Sequence, residues 1–100
     1  MTLVGPLMTR TTMPHVVSVG ISETTIVAMN LSRKGLIIWN AGGTLLYLKL
    51  GTGVTDSDFT WRLQGHTGWE VPSNYLGIVT GLRGSGTDNV MATELCGMGG

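Results

Sequence analysis

Only one cysteine and only twelve charged side chains occur among these 100 residues, six cationic and six anionic. Cys96 alone cannot form a disulfide within one copy, so the fold must stand on packing, which suits a reducing compartment. Charged residues make up 12% of the chain, against about 25% in ordinary globular proteins. A nucleic-acid surface normally declares itself as a basic patch or a high pI. Here the charge sums to zero, Arg33-Lys34 is the one adjacent cationic pair, and Arg10, Lys49, Arg62 and Arg83 are scattered. A long apolar run is also lacking. Gly35 to Leu48 is uncharged but is broken by Asn40, Gly42 and Gly43, and a spanning helix needs about 20 apolar residues. The opening MTLVGPLMTRTTMPH has no basic segment followed by an apolar one, so it does not read as a secretory leader. Neither nucleic acid nor membrane is expected as a partner.

Catalytic patterns are equally scarce. G-x-S-x-G, H-E-x-x-H and C-x-x-C do not occur. The glycines of GLRGSGTDN are not followed by Lys-Ser/Thr, so they do not form a phosphate-cradling loop. A calcium loop opening at Asp56 requires Gly at the sixth position and Glu at the twelfth, where Trp61 and Thr67 stand. His15 and His66 show no spacing that would make either the base for a Cys96 nucleophile. The expectation is a protein that is not an enzyme, with no cofactor, no metal and no small-molecule substrate.

What the chain does have is rhythm. Short apolar or β-branched runs recur at 15–21, 23–29, 35–40, 44–51, 59–63, 67–71, 78–84 and 89–95, with turn residues between them. Starts spaced mostly about 8–12 residues apart predict an all-β protein, a small antiparallel β-sandwich or jelly-roll of about eight short strands. Period-two alternation places Phe59, Trp61 and Leu63 on one face, Trp69 and Val71 together opposite Glu70, and Leu46, Leu48 and Leu50 opposite Tyr47 and Lys49. Leu36-Ile37-Ile38-Trp39 does not alternate and predicts a strand covered on both sides. Asn40-Ala41-Gly42-Gly43 predicts a tight hairpin joining that strand to the next. The tryptophans are best read as core or interface residues, with a sugar-stacking face as the alternative.

Too few charges to coat the surface, and strands apolar on both faces, predict self-association, with a homotrimer as the expected form. The start of the chain adds to this. Residues 1–14 are apolar, contain Pro6 and Pro14 and lack strand alternation. They read as an extended arm that reaches a neighbour, ahead of a β-sandwich over 15–95 and a flexible tail over 96–100. Candidate partner-binding residues are Leu3, Val4, Leu7, Met8 and Arg10 on the arm, with Arg33 and Lys34 as rim cations toward an acidic partner.

Residues 30–94 carry a set of turn and strand motifs. They are Asn30, Arg33-Lys34-Gly35, Asn40 with Tyr47 and Gly51, Asp58-Phe59-Thr60 with Leu63, Glu70-Val71-Pro72 with Tyr75 and Gly77, and Val90 with Thr93-Glu94. In these the chain resembles small tailed-bacteriophage virion β-sandwich proteins of the capsid decoration, or cement, type. Trp69 stands where a tyrosine is common, and the first 29 residues lie outside the pattern. The resemblance implies a structural virion protein on the phage head surface, assembled in the host cytoplasm. Its partners would be the major capsid protein and copies of itself. It also leaves room for a neck, tail or fibre-base subunit, or for a carbohydrate- or receptor-binding module.

Overall fold

The protein, seen in a computed structural model that describes residues 10–97, is all β. The strands are β1 (Arg10–Val19), β2 (Thr24–Val27), β3 (Arg33–Asn40), β4 (Leu46–Leu50), β5 (Trp61–Leu63), β6 (Gly68–Val71), β7 (Val79–Arg83) and β8 (Asp88–Gly97). Two four-stranded antiparallel sheets result, A in the order β1-β8-β3-β6 and B in the order β2-β7-β4-β5. Strand one pairs with eight, two with seven, three with six and four with five. The chain is thus one long antiparallel hairpin, its tip at β4–β5, rolled so that its ladders fall alternately into the two sheets. That is the strand order of a jelly roll. All eight apolar runs become strands, with ends displaced by up to five residues.

The core lies between the sheets. Leu36 and Ile38 of β3, Leu46 and Leu48 of β4, Val79 of β7, Val90 of β8 and Val19 of β1 are sealed from water in one cluster. Each such side chain contributes about 1.5–3 kcal/mol on leaving water. β4 is central in sheet B, between β7 and β5.

Each end of the sandwich, where the sheets part and loops cross, is closed by a buried arginine. Arg83 sits at the end that holds Val19, Asn40 and Asp88. Its Nε donates to Val19 O (3.1 Å), Nη2 to Asn89 O (2.9 Å) and Nη1 to Thr44 O (3.1 Å). Burial holds its pKa below the ordinary arginine value, offset in part by the charge of Asp88. Beside it the fully buried Asn40 donates from Nδ2 to Thr44 O, Leu63 O and Gln64 O and accepts from Gly42 N.

These contacts correct one expectation. Asn40-Ala41-Gly42-Gly43 is not a hairpin, because β3 belongs to sheet A and β4 to sheet B. The segment crosses between sheets, with the Asn40 amide standing in for the missing ladder. Gly42 is needed for close approach and not for a positive φ. A Cβ there would lie 2.6 Å from the Asp88 side chain and 2.9 Å from the Arg83 guanidinium. Two other segments also differ from the sequence reading. β1 begins at Arg10, so residues 10–14 of the expected arm are in register with β8, Pro14 opposite Thr93. An edge strand tolerates this because half of its N–H groups have no ladder partner. Phe59 lies outside β5 and packs on Tyr47 (ring centroids 5.0 Å apart), away from the inward Leu63.

Replacing Asn40 with alanine takes the amide from Leu63 O and Gln64 O and leaves Thr44 O to Arg83 alone, at about 1–3 kcal/mol for each buried group left without a partner. Asn40→Ala is expected to lower the urea midpoint by at least about 2 kcal/mol equivalent at unchanged m-value. Equilibrium unfolding followed by tryptophan fluorescence measures it.

Candidate functional site

At the opposite end of the sandwich Arg33 closes the gap, and its position reverses the sequence reading. Arg33 pairs with Cys96 and Gly35 with Leu95, leaving Lys34 as an extra residue in a β-bulge. The bulge breaks the two-residue alternation, so Arg33 points inward while Ile37 and Trp39 point out. Arg33 is 2% exposed and is therefore no rim cation. Lys34 remains exposed, its stem over Gly97.

The Arg33 guanidinium is used on every side. Nε donates to Glu94 Oε2 (2.8 Å), Nη1 to Gly77 O (3.0 Å) and Tyr75 O (3.3 Å), and Nη2 to Ala28 O (2.8 Å). One side chain therefore ties the β2–β3 and β6–β7 loops to sheet A. Glu94, also buried, accepts from His15 Nε2 at 2.9 Å and from Asn30 Nδ2 at 3.3 Å. Burial pushes the Glu94 carboxyl up, but hydrogen bonds from Arg33, His15 and Asn30 and the Arg33 charge outweigh it, and the pKa falls below the usual carboxylate range. Asn30, Arg33, Tyr75, Gly77 and Glu94, all in the motif set noted above, meet at this one clasp.

A cleft of about 470 Å³ opens beside the clasp, lined among others by Met13, His15, Met29, Asn30, Glu94 and Cys96. Cys96 Sγ lies 3.7 Å from Met13 Sδ and 3.5 Å from Asn30 Nδ2. Among the described residues no group of three or more His, Cys, Asp and Glu side chains is arranged to share a metal ion. Asp58 is paired to Lys49 at 2.8 Å. With three hydrogen bonds on one carboxylate, Glu94 serves as an anchor.

The more distinctive surface is the outer face of sheet A. Register places Val16, Met91, Trp39 and Gly68 in one row across all four strands, and Pro14, Thr93, Ile37 and Glu70 in the next. Thr12, Leu95 and Gly35 form a third. Val16 is 63% exposed, Met91 47%, Ile37 45% and Trp39 43%. An antiparallel sheet facing water normally alternates polar residues outward. Here four neighbouring outward positions are large and apolar, with Glu70 and Lys34 as charges at the margins. The outer face of sheet B is treated differently. The loop between β4 and β5 folds back over it, held by Thr80 Oγ1 to Gly51 O (2.7 Å) and Gly53 N to Glu23 Oε2 (2.7 Å), and it buries Val54 apart from the main core.

The sandwich edge formed by β5 and β6 is closed by Trp61 stacked on Trp69, centroids 5.3 Å apart and planes 7° from parallel. Both rings point between the sheets, Trp61 opposite Leu48 and Trp69 opposite Ile38. Trp61 keeps a 47% exposed ring beside Arg62.

Of the residues named from sequence as partner contacts, Leu3, Val4, Leu7 and Met8 lie outside the described residues. Arg10 opens β1 opposite Gly97, and its side chain also lies outside the description. Lys34 borders the outer face of sheet A and Arg33 is inside. Val16, Ile37, Trp39 and Met91 were not anticipated as a site. The signal for Ile37 and Trp39 is the missing alternation in Leu36–Trp39, which predicts a strand covered on both sides. Among the described residues one side is bare.

A lowered carboxyl pKa gives the clasp a pH signature. The unfolded chain binds the Glu94 proton more readily than the folded one, so the contribution is full above the unfolded value of about 4.3 and is lost as pH falls through the folded value. Glu94→Gln leaves Arg33 buried without its countercharge and is expected to cost about 3–5 kcal/mol at neutral pH. The gap from wild type should narrow as pH falls below about 4.3, where the unfolded wild-type chain takes up the proton that the folded clasp resists. Urea unfolding of the two proteins at each pH measures this.

No family model, curated protein or solved structure compared with the chain matches it.

Proposed function

We propose that this chain is a structural subunit of a tailed-phage virion, a decoration or cement protein that binds the major capsid protein and copies of itself and stabilises the head. The observation that carries the reading is the outer face of sheet A. A domain with this few charges leaves its most ordered surface apolar, as a subunit of an assembly does. The motif resemblance over residues 30–94 supports it. So, by analogy of architecture, does the jelly roll, which viral capsid domains use. A homotrimer is the assembly proposed. Attachment to the capsid is assigned to Leu3, Val4, Leu7 and Met8 with Arg10 and Lys34, while Arg33 serves the clasp.

A second reading, a glycan- or receptor-binding module, is favoured by the exposed ring of Trp61 beside Arg62. Lectin domains share the jelly-roll architecture. Glycan binding lost in Trp61→Ala, with no protein in the head, would establish that reading.

Abundance in purified particles is the primary test. The expected outcome is a band comparable to the major capsid protein. A handful of copies per particle indicates a neck or tail position, and none overturns the proposal. Adding a chain that starts at Arg10 to particles lacking the protein tests the arm. Reduced occupancy and DNA release at lower temperature are expected. Full occupancy with unchanged release removes Leu3, Val4, Leu7 and Met8 from the attachment.

A further inference from the structure

We infer that the outer face of sheet A is covered by another copy of this chain. The inference rests on the structural-subunit reading and names the surface through which copies meet.

Three properties of the face favour a second copy as occupant. The first is size. Strands of eight to ten residues in β1, β3 and β8, rising about 3.4 Å per residue and lying about 4.8 Å apart, make a four-strand face of roughly 500 Å². Once corrugated by side chains it approaches the roughly 800 Å² per partner of a standard interface. The second is composition. Trp39 and Met91 are neighbours in the central row, and Ile37 and Val16 flank them. Aromatic residues and methionine are enriched at the centres of interfaces, and charge is depleted there. Gly68 gives the Trp39 ring room beside its backbone, since a Cβ there would stand 3.1 Å from the ring. The third is charge. Among the described side chains Glu70 and Lys34 carry opposite signs at the margins, so another copy covers them without burying net charge. A strongly charged partner would leave its own charges unanswered at the centre.

The contrast with sheet B strengthens the assignment. The chain supplies its own cover for the outer face of sheet B, the loop over 51–60. Among the described residues it supplies none for sheet A. The two faces also differ in chemistry: Thr25, Thr80, Lys49 and Arg62 stand outward on sheet B beside Tyr47 and Leu82.

The test is the mass of the full chain in solution, by light scattering on a sizing column over a concentration series. Concentration-dependent dimers or trimers are expected in the micromolar range. Met91→Glu and Val16→Lys each place one charge on the face, at positions already exposed in the single copy, and are expected to weaken association about a hundredfold or more. Their thermal unfolding, followed at a concentration where wild type is monomeric, should be unchanged, which separates lost association from lost folding. Phe59→Ser, on the sheet B side, is the control and should associate as wild type does. A wild-type chain monomeric throughout the series overturns the inference, as does association that the two face variants leave intact. Neither result bears on abundance in particles. A monomer present in capsid-like amounts leaves the structural-subunit reading standing, and an oligomer absent from particles removes that reading while the face assignment stands.

Discussion

Two buried guanidinium groups hold this sandwich shut. A jelly roll of short strands has two open ends where loops must pass from sheet to sheet, and their carbonyls need partners. Arg83 supplies them at one end and Arg33 at the other. A planar group with five fixed donors suits this work, because it can bind carbonyls from several segments at once. The two ends differ in how charge is balanced. Arg33 has the Glu94 carboxylate in contact, and Arg83 has only carbonyls, a hydroxyl and the nearby Asp88 charge. Two of the six cations are thereby withdrawn from a surface already poor in charge.

That withdrawal bears on the proposed role. Without Arg33 and Arg83, the exposed charge thins further, and among the described side chains the outer face of sheet A is left with Lys34 and Glu70 at its margins. The central residues of that face are held by ladders on both sides of β8 and β3. Val16, Met91, Trp39 and Ile37 are therefore presented on a rigid platform. A preorganised surface loses less entropy on association than a loop does.

Much of the fold was legible in the sequence. The eight runs and their turns announced eight strands because a half-buried strand cannot hide its period of two. Trp69 and Val71 opposite Glu70 read correctly for the same reason. The failures share a cause. Asn40-Ala-Gly-Gly looked like a hairpin because a turn and a crossing use the same small residues, and only the sheet order separates them. Arg33 looked solvent-facing because its partner stands 61 positions away and no local pattern links the two. The bulge at Lys34 shifts the parity of β3, and a bulge leaves no mark in a list of apolar positions. The bare face was present as the run Leu36–Trp39, but a strand apolar on both sides reads alike whether its cover is the same chain or another.

The rolled-hairpin topology also has a kinetic side. Sheet A is assembled from residues 12–18, 35–39, 68–70 and 89–95, and β8 lies between β1 and β3. Nearly all its contacts join distant parts of the chain, an arrangement that folds slowly because loop closure precedes the reward. The row Val16–Met91–Trp39–Gly68 does not exist until β8 is inserted. β8 follows the other seven strands in the chain, so a nascent chain that has not yet exposed β8 offers only fragments of the face. For the proposed contact between copies, the order of the strands acts as a timer: the face that would meet a neighbour is complete only after each copy has finished folding.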